Sequence, residues 1–553
     1  MTANAHGLPD VLGNTRGFTL KRTPVKAVSD VQSETTESTE ATRKLKHGDA
    51  LLLAAVAAVW FGIVITTVAH HEYWRDEVRA LSIATAPPTL WQLPAYLKDE
   101  GHPVLWYILL RVVHAVSRSA LVLPITSITV AALAMVLFLY RAPFSLGLKF
   151  LFVFSVLPIY EYSVMARNYG ISMLLMFCFA TLYGKRRKYP LILASVLALL
   201  ANCNFHSLIL AALLTMLWLQ DDFIVQRQTL STREQVAIVF GVCLVALAGG
   251  FSLITVLPDD RSVTIGASAE YYWRSLLDVL RHPYNIMNEL VPVSETSRPG
   301  HLLQFALIAS LVAGLFVRPA FGIVLAIALL TLGTFFVAIY PGKLRHQGLL
   351  LIFAITLYWI CKETSSKEIP SAVGPLRMYA QAVALAIALP TMLVAGDWIA
   401  YGAVTMDLTS QLSSAKALGV WLKRAAEPEA IVVGEPDFNL EALPYYAPQR
   451  IYIPREDRFR QWVSFTTEAK AEMSLGELLR TAQRLKREQH VPVYIALGFP
   501  TAQFRQNKSI SYSYNKMLTW DQSQWEQFRV ATQRVAGFWK AVGDENFDLY
   551  EVL

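Results

Sequence analysis

Charged and imidazole side chains gather at the ends of apolar runs in this sequence, and their types suit proton transfer beside an anion. One such stretch is His70-His71-Glu72-Tyr73-Trp74-Arg75-Asp76-Glu77, followed by Lys98-Asp99-Glu100-Gly101-His102-Pro103. Others are Tyr160-Glu161-Tyr162, Ala166-Arg167-Asn168-Tyr169, Asn202-Cys203-Asn204-Phe205-His206 and Pro341-Gly342-Lys343-Leu344-Arg345-His346-Gln347-Gly348. A carboxylate such as Asp76 or Glu77 can take a proton from a hydroxyl or an amine. Arginine and lysine bind phosphate, and arginine does so bidentately. Asp76 and Glu77 are neighbours and cannot share a helix face, so they should have different roles. No tight His/carboxylate spacing marks a metal site.

The elements that must position these groups are membrane helices. The chain has 553 residues, of which 54% are hydrophobic and only 16% charged, with a mean hydropathy of +0.38. Average chains are about 25% charged, so a purely soluble, a disordered and a collagen-like chain are excluded. The net charge of +7 is small and spread out, which argues against nucleic-acid binding. Eleven apolar runs read as spans: 50–70, 120–140, 144–161, 166–184, 189–205, 206–220, 236–257, 301–317, 319–340, 346–361 and 377–400. The apolar run 104–118 carries Arg111 and His114 and reads as a helix lying in the interface.

Residues 1–49 are polar, with a basic cluster just before the first span, and read as a disordered cytoplasmic tail. No apolar stretch of the signal-peptide kind precedes the first span. Eleven spans then carry a cytoplasmic N-terminus to an external C-terminus. Lys185-Arg186-Arg187-Lys188 falls inside, and the polar clusters fall outside, within external loops 71–119 and 258–300 and at the neighbouring turns. Arginines on that outer side run against the positive-inside tendency, which makes them functional candidates. Asp259-Asp260-Arg261 reads as part of a solvated lid. Cys178, Cys203, Cys243 and Cys361 all lie in or beside apolar runs, as small buried residues do.

Residues 401–553 return to soluble composition. Strand-like runs at 430–434, 450–454, 492–499 and 547–553 alternate with helical patterns, and Ser474 with Glu477 forms a capping-box signal for a helix to about Gln489. This predicts an external α/β domain. No Gly-rich phosphate loop follows its first strand, and its aromatic residues are expected in its core.

A basic and acidic face at membrane level suits an amphipathic donor whose lipid tail lies in the bilayer. The order Trp74-Arg75-Asp76-Glu77, then Gly101-His102-Pro103-Val104-Leu105-Trp106-Tyr107, then Tyr162-Ser163-Val164-Met165-Ala166-Arg167-Asn168-Tyr169-Gly170 resembles the membrane-embedded GT-C glycosyltransferases. The resemblance is to their protein O-mannosyltransferase-like and aminoarabinose-transferase-like branches, over roughly residues 50–400. It implies a GT-C-like polytopic α-helical membrane protein of about eleven transmembrane helices, with a C-terminal extracytoplasmic α/β domain.

The implied activity is transfer of a sugar from a polyprenyl-phosphate donor to an extracytoplasmic acceptor, which is a lipid, a glycan or a protein, with inversion at the anomeric carbon. Asp76 takes the position of the family's first-loop catalytic aspartate, and Glu77 that of its acidic neighbour. Arg167 and Tyr169 match the Arg and Tyr of an E-A-R-x-Y pattern. Met165 departs from that pattern, and Glu161, one turn earlier, is the substitute. Lys343, Arg345 and His346 stand where relatives place basic residues near the donor phosphate, and His206 is a further substrate contact. His102 lies close to a position that contributes to a divalent-metal site in some relatives, and it is the one metal candidate. The expected setting is a bacterial inner membrane with the C-terminal domain periplasmic. The alternative reading is a transporter or flippase of a lipid-linked sugar.

Overall fold

The computed structural model describes residues 47–98, 100–225, 229–257, 268–294, 296–368, 374–500, 504, 508–512 and 516–553. Nearly all of the tail 1–49, together with Asp99 and the run Asp259-Asp260-Arg261, lies outside the described residues. The protein is a polytopic helical membrane protein with several apolar spans and a C-terminal mixed α/β region.

Helices occupy all eleven predicted segments. Among the described residues, seven are long and apolar enough to cross a bilayer: Gly48–His70, Val122–Arg141, Phe205–Val225, Thr232–Val256, Pro319–Ala338, Leu344–Thr364 and Pro375–Thr409. Twenty residues at about 1.5 Å each match a hydrocarbon layer of about 30 Å. The helices Tyr169–Tyr183 and Pro190–Ala201 have 15 and 12 residues and fall short of that thickness.

The predicted run 144–161 breaks in two. Helix Leu146–Phe154 leaves α geometry at Ser155, and a wide π turn follows over Leu157–Glu161. Pro158 explains the break, because it has no N–H to donate to the carbonyl of Phe154. The turn sets Glu161 at the helix end. The last membrane helix is likewise widened to π geometry over Ala384–Ala388, just before Pro390. It then runs on to Thr409, beyond the predicted end at 400, and so carries Asp407 up to the first loop.

Between the first two spans lie helix α1 (Arg75–Thr85) and helix α2 (Leu105–Ser117). Arg111, an oddity in an apolar run, turns back to the end of α1. Its Nη1 donates to Ala84 O at 2.9 Å and its Nη2 to Pro88 O at 3.2 Å. The first bond satisfies a carbonyl that the helix end leaves open, and the second holds the turn that follows it.

The C-terminal region holds a six-stranded sheet in the order β3-β2-β1-β5-β9-β8. Its strands are β1 (Ile431–Glu435), β2 (Arg450–Ile453), β3 (Arg458–Phe459), β5 (Val493–Leu497), β8 (Thr532–Phe538) and β9 (Phe547–Val552). β1 runs parallel to β2 and β5, and the outer pairs are antiparallel. A smaller sheet joins β4 (Glu472–Ser474), β7 (Lys516–Thr519) and β6 (Ser509–Tyr512). Helix Leu475–Gln489 starts where the capping signal places it, with Ser474 accepting from the Glu477 N–H. It buries Leu475, Leu478, Leu479, Ala482 and Leu485 against the sheet, a helical stripe. Each buried leucine contributes about 1.5–3 kcal/mol.

Two arginines of α1 fasten this region to the membrane helices. Arg75 reaches Asp544 through two bonds of 2.7 and 2.9 Å, and lies 3.3 Å from Asn439 Oδ1. Arg79 is buried between Glu100 and Glu441 and donates to Val463 O at 2.9 Å.

Candidate active site

Asp76 and Glu77 occupy the first turn of α1, where the helix N-terminus favours negative charge. One residue apart on a helix, they diverge. Glu77 points inward and is fully buried. Its carboxylate accepts from the N–H of Ala166 at 2.6 Å and meets His71 Nε2 at 3.1 Å. The other ring nitrogen of His71 lies 2.6 Å from Asp407 Oδ2. Burial alone would lower the His71 pKa. The flanking Glu77 and Asp407 outweigh it and push the imidazole up to about 10, so it is an imidazolium. This closed cluster ties the first loop, the segment before Tyr169 and the last membrane helix together.

Asp76 points the other way, into a cavity of about 270 Å³. Its side chain is 41% accessible toward that cavity, and Arg167 Nη1 lies 2.6 Å from its Oδ2. Burial pulls its pKa upward, but Arg167, Arg345 and Arg75 win and hold the carboxyl down to about 2. Asp76 is therefore ionised across the physiological range.

His102, Arg167, His206 and His346 line the same cavity. Arg167 Nη2 lies 3.4 Å from His102 Nε2, so that nitrogen is an acceptor. Burial first, then Arg167 and His206, lowers the His102 pKa to about 3, so the ring is neutral. The backbone N–H of Lys343 donates to His346 Nδ1 at 3.0 Å. A main-chain N–H can only donate, so this ring is neutral and carries its proton on Nε2. His206 and His346 face each other with ring centres 5.0 Å apart, and neither nitrogen of His206 has a protein partner among the described residues.

The other sequence candidates form the wall behind. Arg345 is 3.4 Å from Glu161 and stands over the Trp74 ring, so Glu161 serves Arg345, while Arg167 serves Asp76. Tyr169 lies under the His346 ring, edge to face at 5.4 Å. Two glycines permit this close packing. A Cβ on Gly170 would come within 2.6 Å of Tyr162 O, and one on Gly348 within 2.4 Å of Leu157. Lys343 does not join the group. Its backbone is used by His346, while its side chain is 65% accessible, 3.8 Å from Glu289, and lines a separate hollow.

Sequence reasoning missed the roof and the braces. Phe438, Glu441 and Phe465 of the α/β region line the cavity together with Arg75, Arg79 and Glu100. Burial outweighs Arg79 and pushes the Glu441 carboxyl up to about 7. Asp407 carried only one signal, an acid at the end of an apolar run. Phe205, Phe335, Ile339 and Tyr340 give the cavity an apolar part of its lining.

A divalent metal does not fit this set. Among the described residues no three His, Cys, Asp or Glu side chains converge to hold an ion. The candidate ligand His102 already has the Arg167 guanidinium beside it, and a fixed cation there repels a second.

No family model matches the chain, and no curated protein matches it in sequence. Among solved structures, the chain is similar to ArnT from Cupriavidus metallidurans in the apo state, at 12% identity and a TM-score of 0.46. It is also similar to ArnT from Cupriavidus metallidurans bound to undecaprenyl phosphate, at 13% identity and a TM-score of 0.44. Each match covers 91% of this chain and 98% of the other. At this level of likeness, the chemistry rests on the side chains of this chain.

Proposed function

We propose that the protein is a membrane glycosyltransferase that moves a sugar from a polyprenyl-phosphate donor to an acceptor on the extracytoplasmic face. The observation that carries this reading is the Asp76–Arg167 pair, held at 2.6 Å in a partly apolar cavity at the ends of membrane helices. The prenyl chain lies along Phe335, Ile339 and Tyr340, and the phosphate meets Arg167, with Arg345 behind it. His346 offers its Nε2–H toward the same space. The acceptor hydroxyl or amine gives its proton to Asp76 and attacks the anomeric carbon. The bond from that carbon to the phosphate oxygen breaks, and polyprenyl phosphate leaves with its charge held by the guanidinium groups. Attack opposite the leaving group inverts the anomeric centre.

Paired with Arg167, Asp76 is a weak base. When the donor phosphate takes up Arg167, part of the positive field is neutralised and Asp76 becomes more basic. The base is thus activated by donor binding. A carrier for lipid-linked sugar would place its charges near the bilayer midplane, whereas these sit at helix ends. The test is transfer of label from radiolabelled polyprenyl-phosphate sugars in purified membranes, with wild type beside Asp76→Asn. Label in product with wild type alone is the expected result. Equal label in both would end the base role of Asp76.

A further inference from the structure

A further hollow, of about 500 Å³, shares no lining residue with the inner cavity. It lies where the first span ends at His70 and the last membrane helix ends at Thr409, and Lys540 and Val542 of the C-terminal region complete it. We propose that this hollow binds the headgroup of a membrane phospholipid that carries a primary ammonium beside its phosphate. The proposal does not depend on the glycosyl-transfer reading.

Glu72 makes the ammonium half of the site. It is only 6% exposed, and it lines the hollow. The Ser413 N–H bonds its carboxylate, yet Oε2 has no protein partner among the described residues. A buried carboxylate oxygen left open costs stability, and a donor brought by a ligand removes that cost. Burial raises the Glu72 pKa, and Lys416 and the Ser413 N–H pull against it without prevailing. A cation arriving at the hollow therefore meets a charge that the protein compensates only in part. Two neighbours suit the same ligand. Asp407 also lines the hollow, and it shares the His71 imidazolium with Glu77, so two carboxylates there rely on one cation. His70 Nδ1 lies 2.8 Å from the Thr66 carbonyl, which can only accept, so Nε2 of the neutral ring is left as an acceptor. A primary ammonium brings three N–H donors to such a set, and a quaternary one brings none.

Lys540 makes the phosphate half. It is exposed and lines the same hollow. Carboxylates with a lysine beside them suit a zwitterion better than a simple anion or a simple cation. The hollow sits at helix ends, the level of lipid headgroups, and its volume falls in the range of about 300–1,000 Å³ typical of ligand sites. Leu408 lines it, and Ile65 and Tyr401 on the two helices that lead from it into the bilayer are exposed, as side chains covered by acyl chains are.

The test is native mass spectrometry of the full chain in detergent micelles. The probes are dioleoyl phosphatidylethanolamine, phosphatidylcholine and phosphatidylglycerol, with free phosphoethanolamine beside them. The ethanolamine lipid should bind about tenfold more tightly than the other two lipids, as one charge-assisted hydrogen bond would give. Glu72→Gln should bring its affinity within about twofold of the choline lipid, since that bond is lost. Lys540→Ala, at an exposed position, should weaken both of these lipids about threefold and preserve the ratio between them. Equal affinity of wild type for the choline lipid would remove the N–H donors from recognition, and equal affinity for the glycerol lipid would remove the carboxylates. Either result overturns the proposal, as does an ethanolamine preference that persists in Glu72→Gln. Free phosphoethanolamine bound as tightly as its lipid would overturn the membrane source. If Glu72→Gln does not fold, Lys540→Ala still decides, because unchanged affinities there would put the phosphate outside the hollow.

Discussion

Two ionic clusters stand side by side under the α/β region, and they are built to different ends. The His71–Glu77–Asp407 cluster is closed: each carboxylate meets the same imidazolium, and none of the three lines the cavity. The Asp76–Arg167–His102 cluster is open: it faces the cavity, its carboxylate is partly accessible, and His102 Nδ1 has no protein partner among the described residues. A satisfied buried network fixes geometry, and an unsatisfied one beside a cavity leaves bonding capacity for a ligand. The two adjacent acids of the first loop therefore differ in setting, Glu77 locked in a closed network and Asp76 facing the cavity, and on the proposed reading Asp76 is the reactive group.

The sharpest way to break this contrast is to neutralise each acid in turn. Asp76→Asn should lower transfer by at least about a hundredfold, the lower range for loss of a general base, with a melting temperature close to wild type. Glu77→Gln should do the reverse. It leaves the His71 imidazolium facing one carboxylate, and breaking a buried pair costs about 3–5 kcal/mol. Its melting temperature should fall steeply, and activity per folded molecule should largely survive. If Glu77→Gln lost activity while staying stable, the division of roles would be wrong.

A smaller effect is expected within the open cluster. Arg167→Lys keeps the charge but loses the planar fork, and should weaken polyprenyl-phosphate binding about tenfold, as one lost bidentate contact would. Equal affinity in a direct binding assay would move the phosphate elsewhere.

The closed cluster makes a prediction about pH. His71 has a raised folded-state pKa, so its stabilisation is fully present below its ordinary value of 6.5 and is lost as pH rises through about 10. Wild-type melting temperature should therefore fall between pH 7 and 10 more steeply than that of Asp407→Asn. Parallel curves would show that the imidazolium is not the titrating group. The smallest effect belongs to Lys343→Ala, which should change transfer less than twofold, because its side chain lies outside the cavity.

Much of the architecture was legible because bilayer thickness imposes a length and a polarity that composition reveals directly. Several apolar spans, the helix that carries Arg111 and the capped helix at Ser474 were all written locally. Divergence of Asp76 and Glu77 followed from helix periodicity alone. The side chain of Lys343 lies apart from the cavity that His346 lines, because proximity in sequence says nothing about which side of a turn a side chain leaves.

What the sequence determined by itself, then, was a membrane helix bundle with acid and base held at helix ends, since hydropathy and periodicity act over a few residues. Only the tertiary structure decided which acid is free. Asp407 lies 336 residues from its partner His71, and Glu441 lies 362 from Arg79. Contacts over such distances depend on how the helices pack and how the α/β region docks. Burial and long-range charge, rather than residue type, left Glu77 locked and Asp76 exposed to the cavity.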